Sequence, residues 1–168
     1  MTLVRAALPG LAVAIPGADR LALRHLLIDF NGTLACNGAL IDGVAERLSA
    51  LSRILEIEVL TGDTYGTVAR TLAGLPVRHA VVLTGADKTA RVRTLLAEGG
   101  GVVALGNGRN DVDMLRAATL GIAVLGPECT HALTLAAAQL VAPDIHAALD
   151  LFLSDVFAAR QLRRCIAG

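Results

Sequence analysis

The chain has 168 residues, of which 54% are apolar and 18% charged, and its formal net charge is zero. That balance excludes a disordered polymer and leaves a packed globular chain large enough for one sizeable core. Aromatics at 2% give no stacking platform and the neutral charge gives no basic footprint, which excludes a nucleic-acid binder.

Membranes are excluded as well, because no apolar run reaches the ~18–20 residues needed to span a bilayer. Cys36, Cys129 and Cys165 are odd in number, widely spaced and lack a CxxC, so they form neither a disulfide frame nor a zinc site. The four histidines show no HxxxH or HExxH spacing. A cytoplasmic protein is expected. Its core must be built from Ala, Val, Leu and Ile, which suits a parallel sheet covered on both faces.

In chain order, LAVAIPGADRLALRH (residues 11–25) reads as two short strands joined by a turn at Pro16–Asp19. A buried strand follows at Leu23–Ile28. The segment GVAERLSALSRIL places Val44, Leu48, Leu51 and Leu55 on one helical face. Further strands are predicted at Ile57–Leu60, Ala80–Leu83, Val102–Leu105 and Gly121–Leu125, with a weaker one at Gln139–Ala142. Helices are predicted after Thr64, from Asp87 as a cap, near Asn110, near Glu128, and from Asp144 to about Arg164. The basic cluster Arg160, Arg163 and Arg164 reads as a solvated end of that last helix. Strand–helix alternation of this kind implies right-handed βαβ units in an α/β, three-layer, doubly wound parallel sheet. One domain is expected over residues 1–168: a hairpin extension (1–24), a core (25–150) and a C-terminal helix (151–168).

The polar residues fall at strand ends. The first core strand runs into DFNGT, the next into TGDT, the third into TGADK and the fourth into GNGRND. In a parallel sheet these ends share one edge, where open α/β folds place their ligands. Turn chemistry explains any one of them, but not the same chemistry at all four. Asp29, directly after the apolar run Leu26–Ile28, is a helix cap, a metal ligand or a nucleophile. Gly32 lets backbone N–H groups turn toward an anion, with Thr33 locking the loop. Thr61 and Gly62 offer a hydroxyl and an amide to a phosphoryl oxygen, and Lys88 adds a positive charge at a helix start. Gly106, Asn107, Gly108, Asn110 and Asp111 form a loop of oxygen donors suited to Mg²⁺. Together they support phosphoryl transfer through an aspartyl-phosphate.

DFNGT, TGD, a Lys before a helix and GNGRNDVDML, in that order, resemble the four motifs of the haloacid dehalogenase superfamily. The resemblance runs from about Leu21 to Asp150 and is strongest to soluble, capless proteins similar to the phosphorylation domain of P-type ATPases. It implies Asp29 as nucleophile and Thr61 and Lys88 as phosphoryl-binding groups. It also implies a Mg²⁺ held by Asp29, the Asn31 carbonyl and Asn107, with Asn110 and Asp111 in support and Asp111 also counted with the metal site.

Two positions depart from the family pattern. Asn31 stands where these phosphatases carry an Asp that serves as general acid and then base, and an amide does neither. Asn107 replaces a Mg²⁺-binding Asp, with Asp111 or Asp63 as compensating acids. Only 31 residues (30–60) separate Asp29 from Thr61, enough for a small flap at ACNGAL but not for a cap domain. An open site of that kind calls for a macromolecular substrate or a neighbouring subunit, so a homo-oligomer is expected.

The reading is a weak Mg²⁺-dependent phosphatase acting on a phosphorylated small molecule or a phosphoprotein. Its alternative is a non-catalytic phospholigand-binding module on the same fold. A receiver domain or nucleotide binder fits worse, because neither GxGxxG nor GxxxxGK[ST] is present. Asp63 reads as a helix cap, Tyr65 as packing near the site, Asp113–Arg116 as an exposed ion pair and His25 as packing.

Overall fold

The computed structural model describes residues 8–13, 21–63 and 67–153. Its strands are β1 (Leu11–Val13), β2 (Leu21–Asp29), β3 (Ala35–Cys36), β4 (Ala39–Leu40), β5 (Glu56–Thr61), β6 (Arg78–Val81), β7 (Gly101–Gly106), β8 (Leu120–Val124) and β9 (Leu140–Ala142). Its helices are α1 (Val44–Leu51), α2 (Thr67–Thr71), α3 (Gly85–Glu98), α4 (Val112–Ala117), α5 (Ala132–Ala137) and α6 (Ile145–Asp150), with a 3₁₀ turn at Arg109–Asp111.

The main sheet runs β6–β5–β2–β7–β8–β9, and every one of these pairings is parallel. The order turns outward on either side of β2, which makes the sheet doubly wound. β1 pairs antiparallel with the first residues of β2, Leu11 opposite Leu23, so the expected N-terminal strand is present. The turn at Pro16–Asp19 lies outside the described residues, as do Tyr65 and the C-terminal stretch from residue 154. Among the described residues, no helix is long and apolar enough to cross a membrane.

Strand periodicity divides the core. Leu26 and Ile28 of β2 pack on one face with Val44, Leu48, Leu51 and Ile145. Leu27 points to the other face, with Val92, Leu95, Met114 and Leu115. The helical stripe Val44, Leu48, Leu51 and Leu55 is fully buried, as its spacing predicted. Between β2 and β5 the chain forms only the β3–β4 hairpin and α1, so no cap domain is inserted there.

Several boundaries differ from the sequence expectation. β6 begins at Arg78, because its exposed edge residues carry no apolar signal. α5 begins at Ala132 under a His131 cap, and Glu128 lies in the preceding loop. α3 begins at Gly85: Thr84 caps it, accepting from the Asp87 N–H, while the Asp87 carboxylate accepts the Thr84 N–H in return. Asp87 is therefore the third helical residue of a capping box. Because α3 carries Lys88, Thr84→Ala is expected to lower stability by about 1 kcal/mol, measured by urea unfolding.

Candidate active site

β2 is apolar through Leu26, Leu27 and Ile28, all fully buried, and its last residue is Asp29. The chain then turns back sharply. The Phe30 carbonyl accepts N–H groups from Thr33, Leu34 and Ala35, and Gly32 N donates to Ala35 O at 2.8 Å. Gly32 has φ 78°, and a Cβ there would collide with the Asn107 amide, so backbone conformation and space both require glycine. This hook presents the Asp29 carboxylate at the sheet edge.

Lys88 closes the site from the opposite side. Its Nζ lies 2.5 Å from Asp29 Oδ1 and 2.6 Å from Asp111 Oδ1, and the lysine is 1% exposed. α3 comes close enough for this because Gly85 packs on the backbone of Asn110, where a Cβ would lie 2.7 Å from the carbonyl oxygen. Burial opposes the Lys88 charge, but the two carboxylates outweigh it and hold the ammonium pKa above the usual lysine range. Asp29 is pushed the other way, up to about 7, chiefly by burial and then by the Asp111 carboxylate, with Lys88 pulling against both. One buried cation thus serves two acids.

The Asp111 carboxylate is fully buried, and both of its oxygens accept hydrogen bonds. Oδ1 accepts from Lys88, and Oδ2 accepts the N–H groups of Asn107 and Gly108 at 3.0 and 2.8 Å. These bonds shape the loop after β7 and orient Lys88. Asn107 is fixed by its two neighbours: Oδ1 accepts from the Thr33 hydroxyl at 3.2 Å and Nδ2 donates to the Cys129 carbonyl at 3.4 Å. Among the described residues, no group of three or more His, Cys, Asp or Glu could hold a metal. Among the described residues, the side-chain oxygen donors at this edge include Asp29, Asn31, Asp63, Asn107, Asn110 and Glu128.

An open cleft of roughly 730 Å³ lies over these groups, lined by Asp29, Asn31, Gly62, Asp63, Asn107 and Asn110 among others. Thr61 stands behind it, buried, with Oγ1 accepting the Asp63 N–H at 3.0 Å. Asp63 itself accepts the Val68 N–H at the start of α2, the capping role expected of it. Asp113 and Arg116 form an exposed pair at 3.4 Å, and His25 is buried against the Gly99 carbonyl, both as anticipated.

Sequence reasoning missed the segment after β8. Glu128 and Cys129 line the cleft, and Glu128 Oε1 accepts the Asn37 N–H at the β3–β4 hairpin. Thr134 Oγ1 donates to the Gly108 carbonyl at 2.6 Å, and His131 N donates to the Asn107 carbonyl at 2.9 Å. One signal was available: β8 is another parallel strand, so its C-terminal loop had to reach the same edge.

The charge balance makes stability depend on pH. The Asp29 pKa is higher in the folded chain (about 7) than its ordinary 3.8, so the folded state holds the proton more tightly. The stabilising contribution is fully present below about pH 4 and is lost as pH rises to about 7. In metal-free protein, Asp29→Asn is expected to remove that slope and to raise the unfolding midpoint above neutral pH. Lys88→Met leaves two buried carboxylates unpaired and is expected to cost ~3–5 kcal/mol. Urea titrations across pH check both.

No protein-family model matches the chain. The uncharacterized protein MJ0073 of Methanocaldococcus jannaschii is 43% identical over 54 residues, covering 32% of this chain and 58% of that protein. The uncharacterized protein MJ0072 of the same organism is 46% identical over 39 residues, covering 23% of this chain and 89% of that protein. The chain therefore spans little more than half the length of the first relative and most of the second.

Among solved structures, the 3-deoxy-D-manno-octulosonate 8-phosphate phosphatase of Moraxella catarrhalis, bound to magnesium, phosphate and KDO, has a TM-score of 0.67 at 18% identity. The match covers 86% of this chain and 91% of that one. A HAD superfamily (subfamily III A) hydrolase from Legionella pneumophila has a TM-score of 0.66 at 16% identity, covering 86% and 87%. A zinc-transporting PIB-type ATPase has a TM-score of 0.60 at 24% identity, covering 74% of this chain and 20% of the ATPase. The chain belongs to one family with MJ0072, and its fold is that of the haloacid dehalogenase hydrolases in capless form.

Proposed function

We propose that the chain is a Mg²⁺-dependent phosphohydrolase working through an aspartyl-phosphate on Asp29, with a phosphorylated small molecule or a phosphoprotein as substrate. The observation that carries this reading is the unequal treatment of the two Asp29 oxygens. Oδ1 is held by Lys88 at 2.5 Å, whereas Oδ2 has only a long 3.5 Å bond from the Thr33 hydroxyl. Oδ2 is the oxygen left to attack phosphorus.

The surrounding groups suit the charge that develops. Thr61 Oγ1 already accepts the Asp63 N–H, so its own proton is left to donate to a phosphoryl oxygen. Gly62 and Asn110 add an amide N–H and a side-chain amide at the cleft wall. Lys88 stays charged and fixes the nucleophile, a preorganised arrangement that needs no rearrangement during reaction.

A Mg²⁺ fits the donor set in kind, because all the donors are hard oxygens. It would be held by the Asp29 carboxylate, the Asn31 backbone carbonyl and Asn107 Oδ1. Thr33 on its oxygen and Cys129 on its nitrogen set the Asn107 amide so that the oxygen faces the Asp29 side. Such an ion supplies charge neutralisation for the phosphoryl group. With one carboxylate among the three ligands, its binding is weak.

Asn31 is exposed at the cleft and provides neither acid nor base. Alkyl phosphates therefore react slowly, and hydrolysis of the phosphoenzyme lacks help in removing the water proton. The two amides at 31 and 107 also favour a second reading, a phospholigand-binding module that does not turn over.

Release of phosphate from p-nitrophenyl phosphate and acetyl phosphate separates the two. The expected result is turnover that requires Mg²⁺ and vanishes in Asp29→Asn. Absence of turnover in folded protein, with phosphate binding retained, would favour the binding module. Asn31→Asp is expected to raise alkyl-phosphate hydrolysis by ~10²–10⁴-fold, the usual worth of general acid–base help. Asn107→Asp is expected to lower the Mg²⁺ concentration needed for half-maximal activity.

A further inference from the structure

We propose that the substrate carries its phosphoryl group on nitrogen, as a phosphoramidate whose nitrogen is already protonated. This rests on the phosphohydrolase reading above and names the substrate class of the same site. Two independent features lead to it.

The first is the charge of the cleft. Its described lining residues include three carboxylates, Asp29, Asp63 and Glu128, and no Lys or Arg. Lys88 lies beneath the cleft with both ion pairs committed, and Arg109, exposed on the 3₁₀ turn, is not part of the wall. Among the described lining residues, no cationic side chain is placed to receive a second phosphate or a carboxylate on the leaving group. Like-charge contact instead disfavours acyl phosphates and nucleoside diphosphates, whose leaving groups are anions.

The second feature is Asn31. With no acid at that position, a leaving group must depart without receiving a proton from it. Alkoxides fail this requirement. Carboxylates meet it but meet the acidic wall as well. An N-phosphoryl group meets both conditions, because its protonated nitrogen is cationic before reaction and leaves as a neutral amine or imidazole.

Glu128 is the acid placed for this nitrogen. Its loop packs on the nucleophile hook, since a Cβ on Gly126 would lie 2.6 Å from the Gly32 carbonyl oxygen. Its Oε1 reaches the Asn37 N–H of the hairpin at 3.4 Å, and the side chain is exposed to the cleft. A carboxylate at that rim favours the protonated nitrogen.

The step balances. Asp29 Oδ2 forms the bond to phosphorus while the P–N bond breaks, and its electron pair goes to the nitrogen that already holds the proton. Water then attacks phosphorus, the P–Oδ2 bond returns its pair to Asp29, and the water proton passes to the released phosphate.

The test compares kcat/KM for N-phospholysine, acetyl phosphate and p-nitrophenyl phosphate with Mg²⁺, for wild type and Glu128→Lys. The expected wild-type order places N-phospholysine above acetyl phosphate. In Glu128→Lys that ratio is expected to fall by up to about fivefold, the upper size of one exposed charge pair. A peptide bearing phosphohistidine, run beside free N-phospholysine, distinguishes a protein side chain from a small metabolite as the source of the N–P bond. Turnover of acetyl and p-nitrophenyl phosphate with none of either N-phosphoryl compound would overturn the substrate class and leave the phosphohydrolase intact. Turnover of none of the four would overturn the phosphohydrolase itself.

Discussion

One buried ammonium holds this site together. Lys88 Nζ bridges Asp29 at the tip of β2 and Asp111 in the turn after β7, three segments that are far apart in sequence. Neither carboxylate could be carried so deep without it, since burial alone drives a carboxyl toward its neutral form. The lysine in turn depends on both acids, because a single counter-ion would have to offset its burial unaided. The remaining features of the edge, from the capping box of α3 to the glycine contact at Gly85, set where that ammonium stands.

The sheet makes the convergence cheap. β5, β2, β7 and β8 are parallel neighbours, so their C-terminal ends open on one side and four loops meet there. A rigid apolar core on both faces fixes the strand tips, and short loops carry the chemistry. The Phe30 carbonyl, taking three N–H groups, holds the loop after Asp29 in a tight hook, and Asp111 does the same for the loop after β7 with two. Rigid presentation of this kind is what an electrostatically organised site requires.

The amides at 31 and 107 set the charge of the inner cleft. Positions 31 and 107 carry uncharged amides beside Asp29, while Asp63 and Glu128 place carboxylates farther out along the cleft lining. That distribution of charge is what motivates the proposed class of leaving group, one that brings its own proton and positive charge.

Much of this was legible from residues alone. The apolar run ending in Asp29, the TGD turn, Lys88 at a helix start and the GNGRND loop named the edge and nearly all its chemical groups, because strand and turn patterns are local signals. Local patterns also identified the helix stripe from Val44 to Leu55 and the absence of room for a cap. What spacing could not convey was the hydrogen-bond ledger of Asp111, whose oxygens accept from Lys88 and from two backbone amides. Nor could it place Glu128, Cys129 and Thr134 at the site, since their segment reads as an ordinary loop and helix start. Sequence patterning determined the elements and their order, because these follow from periodicity and turn chemistry along the chain. Only the tertiary structure decided which oxygens are free and which charges face the cleft, because both depend on contacts between segments that the chain brings together from a distance.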